Sequence, residues 1–141
     1  MSVEEDNIGV IQRFNAAIEE MFRTGDASPL AELVTPDARI EVSGMPPNRE
    51  GLLQALPAFQ AAFSDFHLEM GEVFAHGDQV AYRSHWTATH TGELMGIPAS
   101  GKKVSISETH IERLRDGKIV EHLGDWDQLG LLQQIGAVPA G

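Results

Sequence analysis

Gly117-Lys-Ile-Val-Glu-His-Leu-Gly-Asp-Trp-Asp-Gln-Leu-Gly-Leu-Leu-Gln-Gln-Ile-Gly136 changes from one structural periodicity to another halfway along its length. Asp116-Gly117 at its start predicts a two-residue hairpin turn, because both residues tolerate positive φ. Residues 119–126 then alternate as a strand does, with Ile119, Glu121, Leu123 and Asp125 on one face and Val120, His122, Gly124 and Trp126 on the other. After Asp127 the apolar residues recur at helical spacing up to Gly136, a typical helix stop. The stretch predicts an acidic strand that ends at a helix N-terminus, a suitable place for acid/base chemistry.

The composition excludes several classes of function. A chain of 141 residues has the length of one domain, so residues 1–141 are expected to form a single domain. The formal net charge of −11 disfavours nucleic acid and anionic membranes as partners, because both would be repelled. Cysteine is absent, which excludes disulfides and thiolate chemistry. Because the chain has neither an apolar run of about 18 residues nor a basic, apolar leader, a soluble, cytoplasmic protein is expected.

The first half of the chain carries helix signals. Ser2 and Glu5 have the spacing of a capping box, and the apolar residues behind them predict a long amphipathic helix that ends near Thr24-Gly25. Ser28-Pro29 begins a short second helix, which should stop before Pro36. A strand over residues 38–43 and a third helix over residues 48–63 follow. Pro57 should kink or break that third helix.

The second half alternates as β-strands do. Three runs precede the hairpin turn, over residues 66–75, 80–91 and 103–114. Helices followed by long antiparallel strands and a closing helix indicate an α+β domain. If the sheet is strongly curved with the helices over its concave face, it forms a cone with a central pocket for a small molecule.

Polar side chains share faces of the two long central strands. One face carries Tyr82, Ser84, Trp86, Ala88 and His90, and the next strand places Val104, Ile106, Glu108, His110, Glu112 and Leu114 on one side. An acid–histidine–acid pattern is unusual for a buried layer, because unpaired buried carboxylates are costly. This half of the face is therefore either exposed, at a surface or a dimer interface, or it lines a polar pocket.

The acids of the last strand have two interpretations. Asp127 precedes a helix, so it is either an N-cap or a proton-transferring group. Asp125 has no capping role, and in an apolar pocket its pKa would rise toward the range useful for catalysis. His110 and His122 could pair with these carboxylates or act as bases. The same histidines with Asp125 could hold zinc, but no spacing specifies a metal site, and none is expected. The serine-nucleophile elbow and the dinucleotide fingerprint are both absent.

Four segments together resemble the SnoaL-like polyketide cyclases, the predicted ester cyclases of the NTF2-like superfamily. They are Thr89-His-Thr-Gly-Glu-Leu-Met-Gly-Ile-Pro98, Gly101-Lys102, Asp116-Gly-Lys-Ile-Val-Glu-His122 and the run from Asp127 to Gly136. The resemblance covers nearly the whole chain and implies an α+β cone that forms a homodimer. It also implies an intramolecular aldol condensation on a hydrophobic ester, without metal or cofactor.

The resemblance also implies site residues. Asp127 matches the family's general acid/base by motif. Asp125 is the alternative for this role if the strand register is shifted slightly. His110 matches the histidine partner. The predicted substrate contacts are His90, His122, Trp86, Tyr82 and Glu108. Leu123 stands where relatives commonly have tryptophan, so the aromatic wall of the pocket is expected to differ.

Two other functions fit the same residues. A non-catalytic module of this fold would bind an apolar ligand and leave it unchanged, with the carboxylates serving as cap and surface groups. An enzyme similar to limonene-epoxide hydrolase would need an arginine beside its acid and base to activate water. Arg83 is the arginine available, although it lies on the opposite strand face from His90.

Overall fold

The computed structural model describes residues 2–139 and begins with the predicted long helix, α1 (Val3–Thr24). Its N-terminus is capped as predicted: the Ser2 hydroxyl accepts a hydrogen bond from the Glu5 backbone N–H at 3.0 Å. Gly25 ends the helix with a φ of 81°, a left-handed conformation that glycine adopts without strain. No helix in residues 2–139 is long and apolar enough to span a membrane.

The next elements differ from the predicted ones at Pro36 and Pro57. Helix α2 (Ser28–Glu32) is followed by strand β1 (Val34–Val42), which begins earlier than predicted and contains Pro36. Proline is tolerated there because β1 is an edge strand and its pairing with the neighbouring strand is irregular between Val34 and Arg39. Helix α3 (Arg49–Ala62) runs through Pro57 without a break.

Five strands form one sheet in the order β1-β5-β4-β3-β2. The remaining strands are β2 (Phe63–His76), β3 (Gln79–His90), β4 (Lys103–Arg115) and β5 (Lys118–Trp126), and helix α4 (Gln128–Gln134) closes the chain. Strands β2 to β5 are antiparallel, as predicted, whereas β1 runs parallel to β5. The predicted hairpin turn between β4 and β5 is confirmed by positive φ values at Asp116 and Gly117.

An irregularity between β4 and β5 sets which residues face inward. The pairing of the two strands shifts between Arg113 and Leu114. Ile119 and His122 are consequently both buried, although strict alternation would place them on opposite faces of β5. Beyond this point His122, Gly124 and Trp126 share the inner face, and Asp125 is exposed.

The helices cover the concave face of the sheet. Apolar residues of α1, α2 and α3 form one core cluster with β1, β3 and β5, and a second cluster joins β3 and β4 to α4. Side chains of α1, α3 and strands β2 to β5 line the same internal cavity. The fold is the predicted α+β cone.

Candidate active site

The cavity inside the cone is largely aromatic. It spans about 880 Å³ of space free of protein atoms, part of which is open solvent at its mouth. Its aromatic lining comprises Phe14, Phe22, Phe59, Phe63, Phe66, Tyr82, Trp86 and Trp126. Polar side chains enter it mainly from one side, on the inner faces of β3, β4 and β5. The cavity therefore combines an apolar wall with a small polar cluster.

The acid–histidine–acid face of β4 belongs to this interior. His110 is 6% exposed and Glu112 is fully buried, while Glu108 is partly buried and lines the cavity. Of the two interpretations of this face, the structure supports the polar pocket. Burial of these groups is tolerated because each carboxylate pairs with an imidazole.

The first imidazole–carboxylate pair joins Glu108 to His110. Nε2 of His110 lies 2.6 Å from Oε1 of Glu108, and the Trp86 indole N–H donates to Oε2 of the same carboxylate at 2.6 Å. Both oxygens of Glu108 are thereby held in fixed directions on the cavity wall. All three residues were predicted at the site, and all three line the cavity.

The second pair joins Glu112 to His122. The two residues are cross-strand partners on β4 and β5, and Nδ1 of His122 is hydrogen-bonded to Oε1 of Glu112. The Tyr82 hydroxyl donates to the same oxygen at 3.5 Å. Glu112 has no exposed surface, whereas His122 lines the cavity. The carboxylate thus lies behind the imidazole and orients it.

The two pairs are in contact through their rings. The His110 and His122 rings are stacked, with centroids 5.0 Å apart and planes 13° from parallel. The Tyr82 ring also stacks on the His110 ring, with centroids 5.3 Å apart. The polar cluster is therefore a layered group of rings backed by two carboxylates.

Burial and charge act in opposite directions on His122. Burial disfavours the imidazolium and acts to lower its pKa, but the charge and hydrogen bond of Glu112, with the charge of Glu108, outweigh burial and raise the pKa above 6.5. Burial, followed by the Glu112 charge, raises the pKa of Tyr82 well above its ordinary value, so Tyr82 remains a proton donor. The cluster therefore favours a proton on His122.

Gly124 allows the His110 ring to lie close to β5. The two residues face each other across the strands, and a Cβ atom at position 124 would lie 2.2 Å from Nδ1 of His110. Neither Gly124 nor Glu112 was predicted as a site residue. Glu112 was visible as part of the alternating face of β4, but its pairing with His122 depends on the strand register.

Asp125 and Asp127 lie away from the cavity lining, which corrects the expectation that one of them faces the pocket. Asp125 is exposed on the outer face of β5, where the Ser43 hydroxyl donates to it at 3.3 Å. Asp127 is also exposed and caps α4, accepting the Gly130 backbone N–H at 2.8 Å. His122, Gly124 and Trp126 face inward, and because side chains alternate along a strand, Asp125 points outward.

His90 and Arg83 also lie away from the cavity lining. His90 was predicted to contact substrate, but its fully buried ring holds the loop after β3, with Nδ1 3.0 Å from the Ser100 hydroxyl. Arg83 is exposed and borders a groove on the outer side of the sheet. The acid, base and arginine of the epoxide-hydrolase hypothesis are therefore not brought together.

Three buried side chains have atoms that metals commonly bind. One such atom from each of His110, Glu112 and His122 lies within 4.8 Å of the others. Hydrogen bonds already engage Nδ1 of His122 with Glu112, and Nε2 of His110 with Glu108. Nδ1 of His110 and Oε2 of Glu112 have no partner among residues 2–139. The hydrogen bonds of the cluster thus form two imidazole–carboxylate pairs.

Comparisons with known proteins agree with this architecture. The family model of the SnoaL-like polyketide cyclases matches residues 12–135. The aklanonic acid methyl ester cyclase DnrD of Streptomyces peucetius is 33% identical over 124 residues, which cover 83% of this chain and 84% of DnrD. The nogalonic acid methyl ester cyclase of Streptomyces nogalater is 31% identical over 121 residues, covering 82% of this chain and 89% of that enzyme.

A solved structure shares the fold over almost the whole chain. AclR, a proposed hydroxylase from Streptomyces galilaeus, superimposes with a TM-score of 0.86 at 28% sequence identity. The match covers 98% of this chain and 85% of AclR. The family model, the relatives and the cone with its aromatic cavity all agree with the resemblance in the sequence. The chain belongs to the SnoaL-like polyketide cyclase family.

Proposed function

We propose that this cyclase closes a ring in an aromatic polyketide ester by an intramolecular aldol reaction, without metal or cofactor. The observation that carries the proposal is the Glu108–His110 pair, held inside an otherwise aromatic cavity. A carboxylate and an imidazole are the groups that most often transfer protons in enzymes. The apolar walls supply a surface on which a planar, folded substrate can stack.

Glu108 is the proposed base. Its carboxylate lines the cavity, and it takes a proton from the carbon beside a substrate carbonyl, leaving an enolate. His110 and Trp86 hold the two carboxylate oxygens in place, at 2.6 Å each. The enolate carbon then attacks a second carbonyl of the same molecule. The product is an isomer of the substrate, because the proton removed from carbon is balanced by one added to oxygen.

The charges around the cavity favour an ester over a free acid. No lysine or arginine is among the described residues that line the cavity, whereas Glu108 is. The carboxylate of a free acid would lose its hydration there and would be repelled by the Glu108 carboxylate, with no lysine or arginine of the lining to pair with it. The named substrates of both relatives are methyl esters of acids. A neutral methyl ester is therefore the proposed substrate class.

Turnover of aklanonic acid methyl ester, followed by chromatography and absorbance, tests the proposal, since an isomer has an unchanged mass. We expect Glu108→Gln and His110→Asn to lower kcat by at least ~100-fold with folding intact. Glu69→Gln, an exposed glutamate on β2, is the matched control and should leave kcat unchanged. Tight binding of the ester with no conversion would instead support the binding-module alternative, and full activity of both variants would refute the assigned roles.

We also propose that the protein is a homodimer, as the resemblance implies, and that it is cytoplasmic. Light scattering coupled to size-exclusion chromatography tests the dimer, because the chain mass is 15.3 kDa. A mass of a single chain at micromolar concentration would contradict it.

A further inference from the structure

We propose that His122 is the general acid of the ring closure and delivers the proton to the new alkoxide oxygen, with Glu112 as its positioning residue. This inference rests on the proposed function and divides the chemistry between the two imidazole–carboxylate pairs. Glu108 removes the proton from carbon, and His122 supplies the proton to oxygen.

The different positions of the two carboxylates support this division. Glu108 lies on the cavity wall with its side chain 21% exposed, so it can touch a substrate. Glu112 has no exposed surface and can act only through His122. Because Glu112 engages Nδ1 of His122, Nε2 on the far side of the ring is the nitrogen left for a ligand. A proton on Nε2 can therefore be donated to a molecule in the cavity.

The surroundings of His122 stabilise its protonated form. The titratable groups that face it are Glu108, His110 and Glu112 from β4 and Tyr82 from β3. From the other elements, the Phe14 ring of α1 meets the His122 ring edge-on with centroids 5.3 Å apart, and Ile40 of β1 is its cross-strand partner. Two carboxylates therefore act on this imidazole, and neither lysine nor arginine is among the described residues that line the cavity with it. When environments give neighbouring groups opposite proton occupancies, one serves as acid and the other as base.

With this assignment, the proton removed from carbon is balanced by the proton added to oxygen. The C–H electron pair becomes the enolate as the proton passes to Glu108. A carbon–carbon bond then forms to the second carbonyl carbon, whose π electrons move to oxygen. That oxygen takes the proton from Nε2 of His122. Afterwards Glu108 releases one proton to water and His122 takes one up, so the enzyme returns to its initial state.

Deuterium exchange separates the two proton transfers. Aklanonic acid methyl ester is incubated in D₂O, and the enzyme-catalysed exchange of its acidic C–H is measured alongside ring closure. We expect His122→Gln to lose ring closure by at least ~100-fold while exchange stays within ~5-fold of the wild type. Glu108→Gln should lose both. Ring closure at the wild-type rate in His122→Gln, or equal loss of exchange and closure, would overturn the inference.

The pH dependence of kcat provides a second readout that a merely structural role would not move. We expect kcat of the wild type to fall as pH rises through a pKa above 6.5, and this limb to disappear in His122→Gln. Glu112→Gln removes the charge that favours the imidazolium, so the limb should move to lower pH. An unmoved limb in Glu112→Gln would contradict the assignment.

Imidazole ¹⁵N NMR of the wild-type protein measures the pKa of His122 and so tests its role as the general acid without turnover. We expect His122 to titrate above 6.5 in the free protein, and a pKa below 6.5 would overturn its role as the acid. A wild-type protein that neither exchanges nor cyclises the ester would refute the proposed reaction and the acid role that rests on it, whereas a protein that cyclises the ester while His122 titrates below 6.5 would refute the acid role alone. The two failures are thereby distinguished.

Discussion

Replacing Gly124 by alanine should displace the His110 ring without straining the backbone. An ideal Cβ at position 124 lies 2.2 Å from Nδ1 and 2.6 Å from Cε1 of His110, whereas ordinary contacts begin at 3.4 Å. The ring must therefore move by about 1.2 Å, the difference between 3.4 and 2.2 Å, or β5 must move away. The φ of Gly124 lies outside the left-handed region, so alanine itself is compatible with the backbone.

The displacement is large compared with the contacts that hold the ring. His110 is bonded to Glu108 at 2.6 Å and lies between the Tyr82 and His122 rings. A shift of about 1.2 Å is nearly half of that 2.6 Å separation, so the hydrogen bond cannot keep its length and direction. Misplacement on this scale can lower kcat ~100-fold. Overpacking should also lower the free energy of unfolding by ~1–3 kcal/mol.

Kinetics with aklanonic acid methyl ester and thermal unfolding measure the two effects. Gly71→Ala on β2 is the matched control, because a Cβ there would meet its nearest atoms at 3.6 and 3.9 Å, which are ordinary contacts. We expect the control to retain wild-type kcat. Combining Gly124→Ala with His110→Ala should remove most of the stability loss, since the clashing ring is gone.

Wild-type kcat and an unchanged melting temperature in Gly124→Ala would refute the close contact between His110 and β5. Equal destabilisation by Gly124→Ala in the presence and absence of the His110 ring would also refute it. The loss would then come from the strand itself, and the position of His110 would need another explanation.

Three further outcomes are expected. Asp127→Ala should lower the free energy of unfolding by ~1 kcal/mol through loss of the helix cap, with kcat unchanged; a ~100-fold loss of kcat in a folded variant would restore the catalytic role implied by the family motif. A raised pKa for His122 means that its protonation stabilises the fold; this contribution is complete below the unfolded value of about 6.5 and is lost as pH rises through the higher folded pKa. The melting temperature should therefore fall more steeply on alkalinisation in the wild type than in His122→Gln, and parallel curves would contradict this. Dialysis against EDTA should leave kcat unchanged, whereas a loss reversed by added zinc would indicate a required metal.

Local patterns were sufficient for most elements of the fold. Capping residues, helical spacing, strand alternation and the Asp116-Gly117 turn depend on neighbours along the chain, and they predicted α1, the β2 to β5 strands and α4. The exceptions, Pro36 within β1 and Pro57 within α3, occur because tertiary context overrides a local preference. Pro36 has no N–H to donate to a neighbouring strand, and an edge strand tolerates this because one of its sides has no partner strand. The sequence alone does not reveal which strand lies at the edge.

The sequence by itself determined the family, the cone and the residue types available for acid/base chemistry, because these follow from motifs and periodicity. Only the tertiary structure decided which of those residues share the cavity. The shift between β4 and β5 turns His122 inward and Asp125 outward, and the strand register places Glu112 behind His122 and Gly124 against His110. A displacement of one residue in strand register reverses every side chain, so no pattern within a single strand can specify the site.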